Sequence, residues 1–169
     1  MHVVQAERRA SLNLKKLYGR VAIIATAILF IDQLSKYLAL RLLGDQPEAI
    51  IGDFLRFNLA RNSGAAFSLA TGSSIALASF GFAFLMLTLV LLRHLRNFHW
   101  ALVSGLVLGG LLGNLVDRVF RSPGLLRGSV VDWIELPHWP IFNLADVSLV
   151  SAAFIATILT FKGVDPRVH

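Results

Sequence analysis

Four aspartates stand in stretches of this chain where a charge is expensive: Asp32, Asp117, Asp132 and Asp146. Two carboxylates held close together cannot both ionise cheaply, so one keeps a proton and the other stays charged. The charged member can deprotonate a water, and the protonated member can donate to a carbonyl oxygen as it becomes tetrahedral. Amide hydrolysis by this route needs neither a metal nor a serine or cysteine nucleophile. The titration then belongs to the pair and not to either residue.

Other chemistries find less support. The chain has no cysteine, which removes disulfides, thiolate metal sites and a cysteine nucleophile together. Its histidines, His2, His94, His99, His138 and His169, include no pair spaced i,i+4 for a zinc site. No metal and no cofactor are expected. Ser63, Ser68, Ser129 and Ser148 could serve as nucleophiles, but only His138 is placed to act as a base for them, so a serine mechanism is disfavoured.

The elements that must carry these residues are membrane spans. Hydrophobic residues make up 56% of the chain and charged residues 15%, with mean hydropathy +0.67, far from the balance of a soluble domain. Four segments have the ~20 apolar residues that a spanning helix needs: roughly 21–43, 74–92, 100–120 and 141–161. The first, preceded by basic residues, also resembles a secretory signal peptide. However, no small-residue cleavage pattern follows it, and its apolar character resumes at Leu34, Tyr37, Leu38 and Leu40. The length of 169 residues fits one membrane-embedded domain.

Basic residues give the direction. Arg8, Arg9, Lys15, Lys16 and Arg20 precede the first span, Arg93 and Arg96 join the second to the third, and Lys162 and Arg167 follow the fourth. The positive-inside rule makes these three pieces cytoplasmic and turns 44–73 and 121–140 outward, although Arg121 and Arg127 dilute the bias. The net charge of +6 then reads as contact with anionic membrane lipid and not with nucleic acid. In the outward segments, Leu55, Phe57 and Leu59 alternate with Arg56 and Asn58, and Ser129–Ile134 is β-branched. Both stretches predict strands. The expected fold is therefore an all-α integral membrane protein of four transmembrane helices with a small outward β cradle.

This topology puts the costly groups at one level. Asp32 lies at mid-depth or beyond, Asn114, Asp117 and Arg118 near the outer end of span three, and Asn143 and Asp146 in the first turns of span four. Asp132 sits in the loop between spans three and four, which contains Pro137 and Pro140. Such convergence is what an active site would require. Each group also has a plainer reading. Asp32 and Lys36, at i,i+4, could simply neutralise each other. Asp117 could be a structural ion pair, and Asn143 could cap span four by accepting from the Asp146 N–H. Gly105, Gly109 and Gly113, with Gly110 beside them, read as a helix-packing face.

In order along the chain stand Asp32-Gln33-Leu34-Ser35-Lys36, Asn62-Ser63-Gly64-Ala65-Ala66-Phe67, Gly109 to Arg118 (Gly-Gly-Leu-Leu-Gly-Asn-Leu-Val-Asp-Arg), Val131-Asp132-Trp133 and Phe142-Asn143-Leu144-Ala145-Asp146. With these five motifs the chain resembles the bacterial lipoprotein signal peptidases, or signal peptidase II, along nearly its whole length. The resemblance implies an aspartic endopeptidase with Asp132 and Asp146 as catalytic dyad. It implies support from Asn62, Asn114, Arg118 and Asn143, and more structural roles for Asp32 and Asp117. The implied substrate is a diacylglyceryl-modified prolipoprotein, cut before its lipidated cysteine. The implied location is the bacterial inner membrane, with both termini cytoplasmic and the site facing the periplasm, and the implied inhibitor is globomycin. Two positions depart from the pattern: Arg61 stands where an aromatic residue is more usual, and Trp133 where phenylalanine is. Two other classes remain, a transporter whose charges mark an ion path and a noncatalytic scaffold. A transporter would thread its charges through the bilayer, and a scaffold would tolerate loss of Asp132 and Asp146.

Overall fold

The structure is a computed structural model that describes residues 2–64 and 73–168. Ala65, Ala66 and Phe67 of the second motif, and Ser68, lie outside the described residues. In chain order the elements are α1 (His2–Leu42), β1 (Glu48–Ile51), β2 (Leu55–Asn62), α2 (Ser73–Leu92), α3 (Phe98–Phe120), β3 (Val130–Glu135) and α4 (Leu144–Phe161). Four helical stretches are long and apolar enough to cross a membrane: Leu12–Leu42, Ser74–Leu92, Phe98–Phe120 and Leu144–Phe161.

Two boundaries differ from those expected. α1 begins well before Val21, so the basic segment is a continuation of the first spanning helix. α4 begins at Leu144 and not near Ile141. Phe142 is apolar enough to be read as helix, but its backbone pairs with Ile134 in an isolated bridge, and Asn143 is the helix cap. Hydropathy measures side chains and cannot see which backbone partner an N–H has taken.

α3 is the axis of the bundle, with α1, α2 and α4 all packed on it. Its glycines make the approach possible. A Cβ on Gly105 would lie 2.7 Å from Ile24 Cβ, one on Gly109 2.6 Å from Ile28 Cβ, and one on Gly110 2.7 Å from the Ala145 carbonyl oxygen. Three of the four small residues therefore face α1, and Gly110 admits α4. In lipid, where apolar side chains gain little by leaving the acyl chains, such backbone proximity is what holds helices together. The outer faces are correspondingly apolar and exposed, as at Phe80 on α2 and Phe154 on α4.

The strands form one antiparallel sheet of order β1-β2-β3. The two expected strands are present, the first extended to Asn62. β1 had no sequence signal: its four residues, Glu-Ala-Ile-Ile, show no alternation and are all exposed, and they pair only because the turn at Gly52 (φ 49°) folds them onto β2. A register shift between Phe57 and Ala60 separates two paired stretches of β2 and β3. Beyond it Ala60 opposes Asp132 and Asn62 opposes Val130. Asn62 and Asp132 are thus diagonal neighbours on one face.

Candidate active site

Backbone pairing delivers Asp132 to Asp146 across a loop. β3 carries Asp132. The chain turns through Pro137, His138 (φ 60°) and Pro140, then returns so that the Phe142 carbonyl accepts from the Trp133 and Ile134 amides (3.0 and 2.9 Å). Asn143 follows at once and starts α4. Its side-chain oxygen accepts from the Asp146 N–H (3.0 Å), while Asp146 Oδ2 accepts from the Asn143 N–H (3.2 Å), a reciprocal capping box. The cap expected of Asn143 is present, and the same residue also does something else. Its amide Nδ2 donates to Asp132 Oδ1 (2.6 Å) and to Asn114 Oδ1 (3.1 Å).

Asn143 therefore bonds to both carboxylates. The remaining oxygens are held by two more asparagines: Asn62 Nδ2 donates to Asp132 Oδ2 (3.0 Å), and Asn114 Nδ2 donates to Asp146 Oδ1 (2.8 Å). Asparagine suits this task because its amide donates without bringing a positive charge that would cancel the pair. Asp132 is only 2% exposed. Burial above all, with a smaller contribution from the charge of Asp146, outweighs the lowering effect of the Asn62 and Asn143 donors and of Lys36, and its carboxyl is pushed up to about 6.

Behind the carboxylates lies a buried ionic cluster. Lys36 Nζ meets Asp32 Oδ2 and Asp117 Oδ2, both at 2.9 Å, and donates to Asn114 Oδ1 (3.1 Å), which uses all three of its protons. Arg121 Nε meets Asp117 Oδ1 (2.6 Å), so two cations face two carboxylates. Gln33 Nε2 lies 3.0 Å from the Gly113 carbonyl oxygen and 3.2 Å from Asp32 and Asp117.

Each carboxylate of this cluster also fixes one arm of the site. Asp32 Oδ1 accepts from the Ala145 N–H (2.9 Å), one of the donors that a helix start leaves unpaired, and so seats α4. Asp117 Oδ2 accepts from the Val131 N–H (3.1 Å) and so seats β3 one residue before Asp132. Gly113 leaves the room that the Asp32 carboxylate occupies, since a Cβ there would lie 2.6 Å from Asp32 Oδ2. The neutralising pair read from i,i+4 spacing is real but incomplete, because Lys36 also reaches α3.

Of the expected site residues, the structure brings Asp132, Asp146, Asn62, Asn114 and Asn143 into one hydrogen-bonded chain, with Asp32 and Asp117 behind it. Arg118 is placed differently. Its Nη1 donates to Ser74 Oγ (3.0 Å) at the start of α2, and among the described residues it bonds to neither Asp132 nor Asp146. Ser74 in turn donates to the Leu126 carbonyl oxygen (3.3 Å). Lys36, Gln33 and Arg121 were not expected in the site. Lys36 and Gln33 stand in the first motif, and Arg121 lies i,i+4 from Asp117, but their cross-helix partners have no sequence signal.

Residues 24–162 match the family model described as "Signal peptidase (SPase) II". The chain belongs to the signal peptidase II family. It is 48% identical to a lipoprotein signal peptidase of Mycolicibacterium smegmatis over 143 residues, 84% of this chain and 61% of that relative. It is 45% identical to one of Mycobacterium tuberculosis over the same length, 84% of this chain and 71% of that relative. The chain thus spans three-fifths of the first and somewhat more of the second. A bacterial membrane enzyme solved by the in meso method at 1.9 Å superposes with a TM-score of 0.76 at 27% identity, covering 85% of this chain and 94% of that one. Another, at 2.3 Å, gives 0.73 at 27% identity over 85% and 88%. With four apolar helices and this family, the protein is a multi-pass membrane protein.

Proposed function

We propose that this signal peptidase II family member is an aspartic endopeptidase, acting as a single membrane-embedded unit, that removes the signal peptide from diacylglyceryl-modified prolipoproteins. The observation that carries the reading is the single Asn143 side chain and backbone holding Asp132 and Asp146 together. Asp132, pushed up to about 6, holds the shared proton. Asp146 takes a proton from a water, whose oxygen attacks the scissile carbonyl carbon while Asp132 protonates the carbonyl oxygen. The resulting gem-diol collapses: its C–N bond breaks, the proton on Asp146 goes to the departing amine of the lipidated cysteine, and a hydroxyl proton returns to Asp132. Asn62, Asn114 and Asn143 orient the two carboxyls, Asp32 and Asp117 position α4 and β3, and Arg118 holds the start of α2.

The location fits a lipid-anchored substrate. The polar layer lies at one end of the bundle under the sheet, where a lipidated peptide arrives laterally from the bilayer. Arg93, Arg96, Lys162 and Arg167 lie at the opposite end, which supports cytoplasmic termini and a dyad facing the periplasm of the inner membrane. A globomycin-type inhibitor would compete at the dyad.

The test is incubation of the purified protein with a diacylglyceryl prolipoprotein. The expected result is a mobility shift that globomycin blocks, and an uncut substrate with folded protein would overturn the reading. The proton assignment has its own test. Asn62 stabilises the ionised form of Asp132, so Asn62→Ala raises the pKa of that carboxyl. The acid form then survives to higher pH, and the alkaline limb of kcat/KM moves up by about one pH unit, the effect of losing one charge-assisted hydrogen bond. An unmoved limb would place the proton elsewhere.

A further inference from the structure

α2 and α4 both rest on α3 but leave a groove between them that runs from Trp100 and Arg167 at the end of the bundle away from the sheet up to Leu111 and Leu149, one helical turn short of Asn114 and Asp146. It encloses about 520 Å³ and is walled by Phe84, Leu91, Val107 and Ala153 among others, with Trp100 along one side. Its mouth carries Arg167 and His94, both exposed, and among the described residues no carboxylate lines it. The C-terminal segment is fastened over this end: the Arg96 N–H donates to the Pro166 carbonyl oxygen (2.8 Å), and Trp100 Nε1 donates to the Val164 carbonyl oxygen (2.7 Å). Arg93, Arg96 and Lys162 are near in sequence. Among the described residues the opposing charge at this end is Asp165, whose Oδ1 accepts from the Arg167 N–H (2.7 Å). Among the described residues the Arg167 guanidinium has no ion-pair or hydrogen-bond partner.

We infer that this groove is a binding site for an anionic phospholipid, one acyl chain lying between α2 and α4 and the phosphate on Arg167 and His94. Two dimensions favour a lipid. From Trp100 to Leu111, α3 rises about 16 Å, which is close to one leaflet, half of a hydrocarbon core about 30 Å thick. A helix with its side chains is about 10 Å across and rises about 5.4 Å per turn, so the groove holds little more than one turn of a peptide helix. The charge at the mouth selects the headgroup, since each basic residue at a membrane surface favours an anionic lipid about fivefold.

The site is testable without any substrate, so its failure is separable from failure of the peptidase reading. In a Trp133→Phe, Trp139→Phe background, Trp100 is the sole tryptophan, and brominated acyl chains quench it on contact. The full chain in vesicles should be quenched by brominated phosphatidylglycerol at least about fivefold more effectively, mole for mole, than by brominated phosphatidylcholine. Arg167→Gln with His94→Gln should reduce that ratio to near one while helicity is unchanged. Ala153→Phe, which fills the groove, should abolish quenching by both lipids. Equal quenching by the two lipids in the parent would overturn the proposal. So would displacement of the brominated lipid by a synthetic signal peptide, which would assign the groove to substrate.

Discussion

Asp132→Asn and Asp146→Asn each lower kcat/KM for prolipoprotein cleavage by about 10³- to 10⁴-fold, and the double variant lowers it little further. General acid–base groups contribute effects of this size, and residues acting as one unit do not add. Asparagine preserves shape and one acceptor oxygen at each position. Neither variant, however, can hold and pass the proton that a carboxyl pair shares. In Asp132→Asn the acid with the raised pKa is gone. In Asp146→Asn the proposed base is gone, although the Asn143 cap can still close on the new side-chain oxygen. The measurement is single-turnover cleavage by gel mobility, on variants whose helicity and thermal unfolding match the parent. Substantial activity in either single variant would sink the dyad. An additive double variant would mean that the two carboxyls act in separate steps.

Lys36→Met has the largest effect expected on stability, a loss of about 3–5 kcal/mol. Lys36 is 0% exposed, and both its carboxylate partners are buried, so methionine fills the space but leaves Asp32 and Asp117 facing each other without a cation between them. Asn114 also loses one of the two donors to its oxygen, with only Asn143 left, which loosens the amide that holds Asp146. Thermal unfolding in detergent should fall by on the order of 10 °C, with loss of cleavage in the fraction that still folds. Adding Asp32→Asn and Asp117→Asn should recover much of the stability, because the penalty lies in the stranded charges. These asparagines still accept from Ala145 and Val131 with their side-chain oxygens. A neutral Lys36→Met, or a triple variant worse than the single, would contradict the cluster.

Composition and hydropathy made the four spans legible, because a bilayer demands long apolar runs and tolerates few charges within them. The polar level was legible for the same reason. Once the direction of each span is known, Asp32, Asn114, Asp117, Asn143 and Asp146 can be ranked by depth. β2 and β3 showed through their alternating and β-branched residues. β1 did not show, because an exposed edge strand of four residues has no face to pattern. The start of α4 was misplaced because the Ile134–Phe142 bridge is a backbone contact between apolar residues.

What the sequence determined by itself is which groups exist and in which elements: four apolar helices, a set of polar residues gathered toward one end of them, and five short motifs in a fixed order. The tertiary structure decided who touches whom. Only the close approach at Gly109 and Gly113 brings α1 near enough for Lys36 to reach Asp117 and Asn114 and for Asp32 to reach Ala145. Only the return of the chain from β3 to Phe142 sets Asn143 between Asp132 and Asp146. Hydropathy and local spacing report the cost of burying a group. The partner that offsets the cost comes from another element, and its position depends on how closely two backbones can pack.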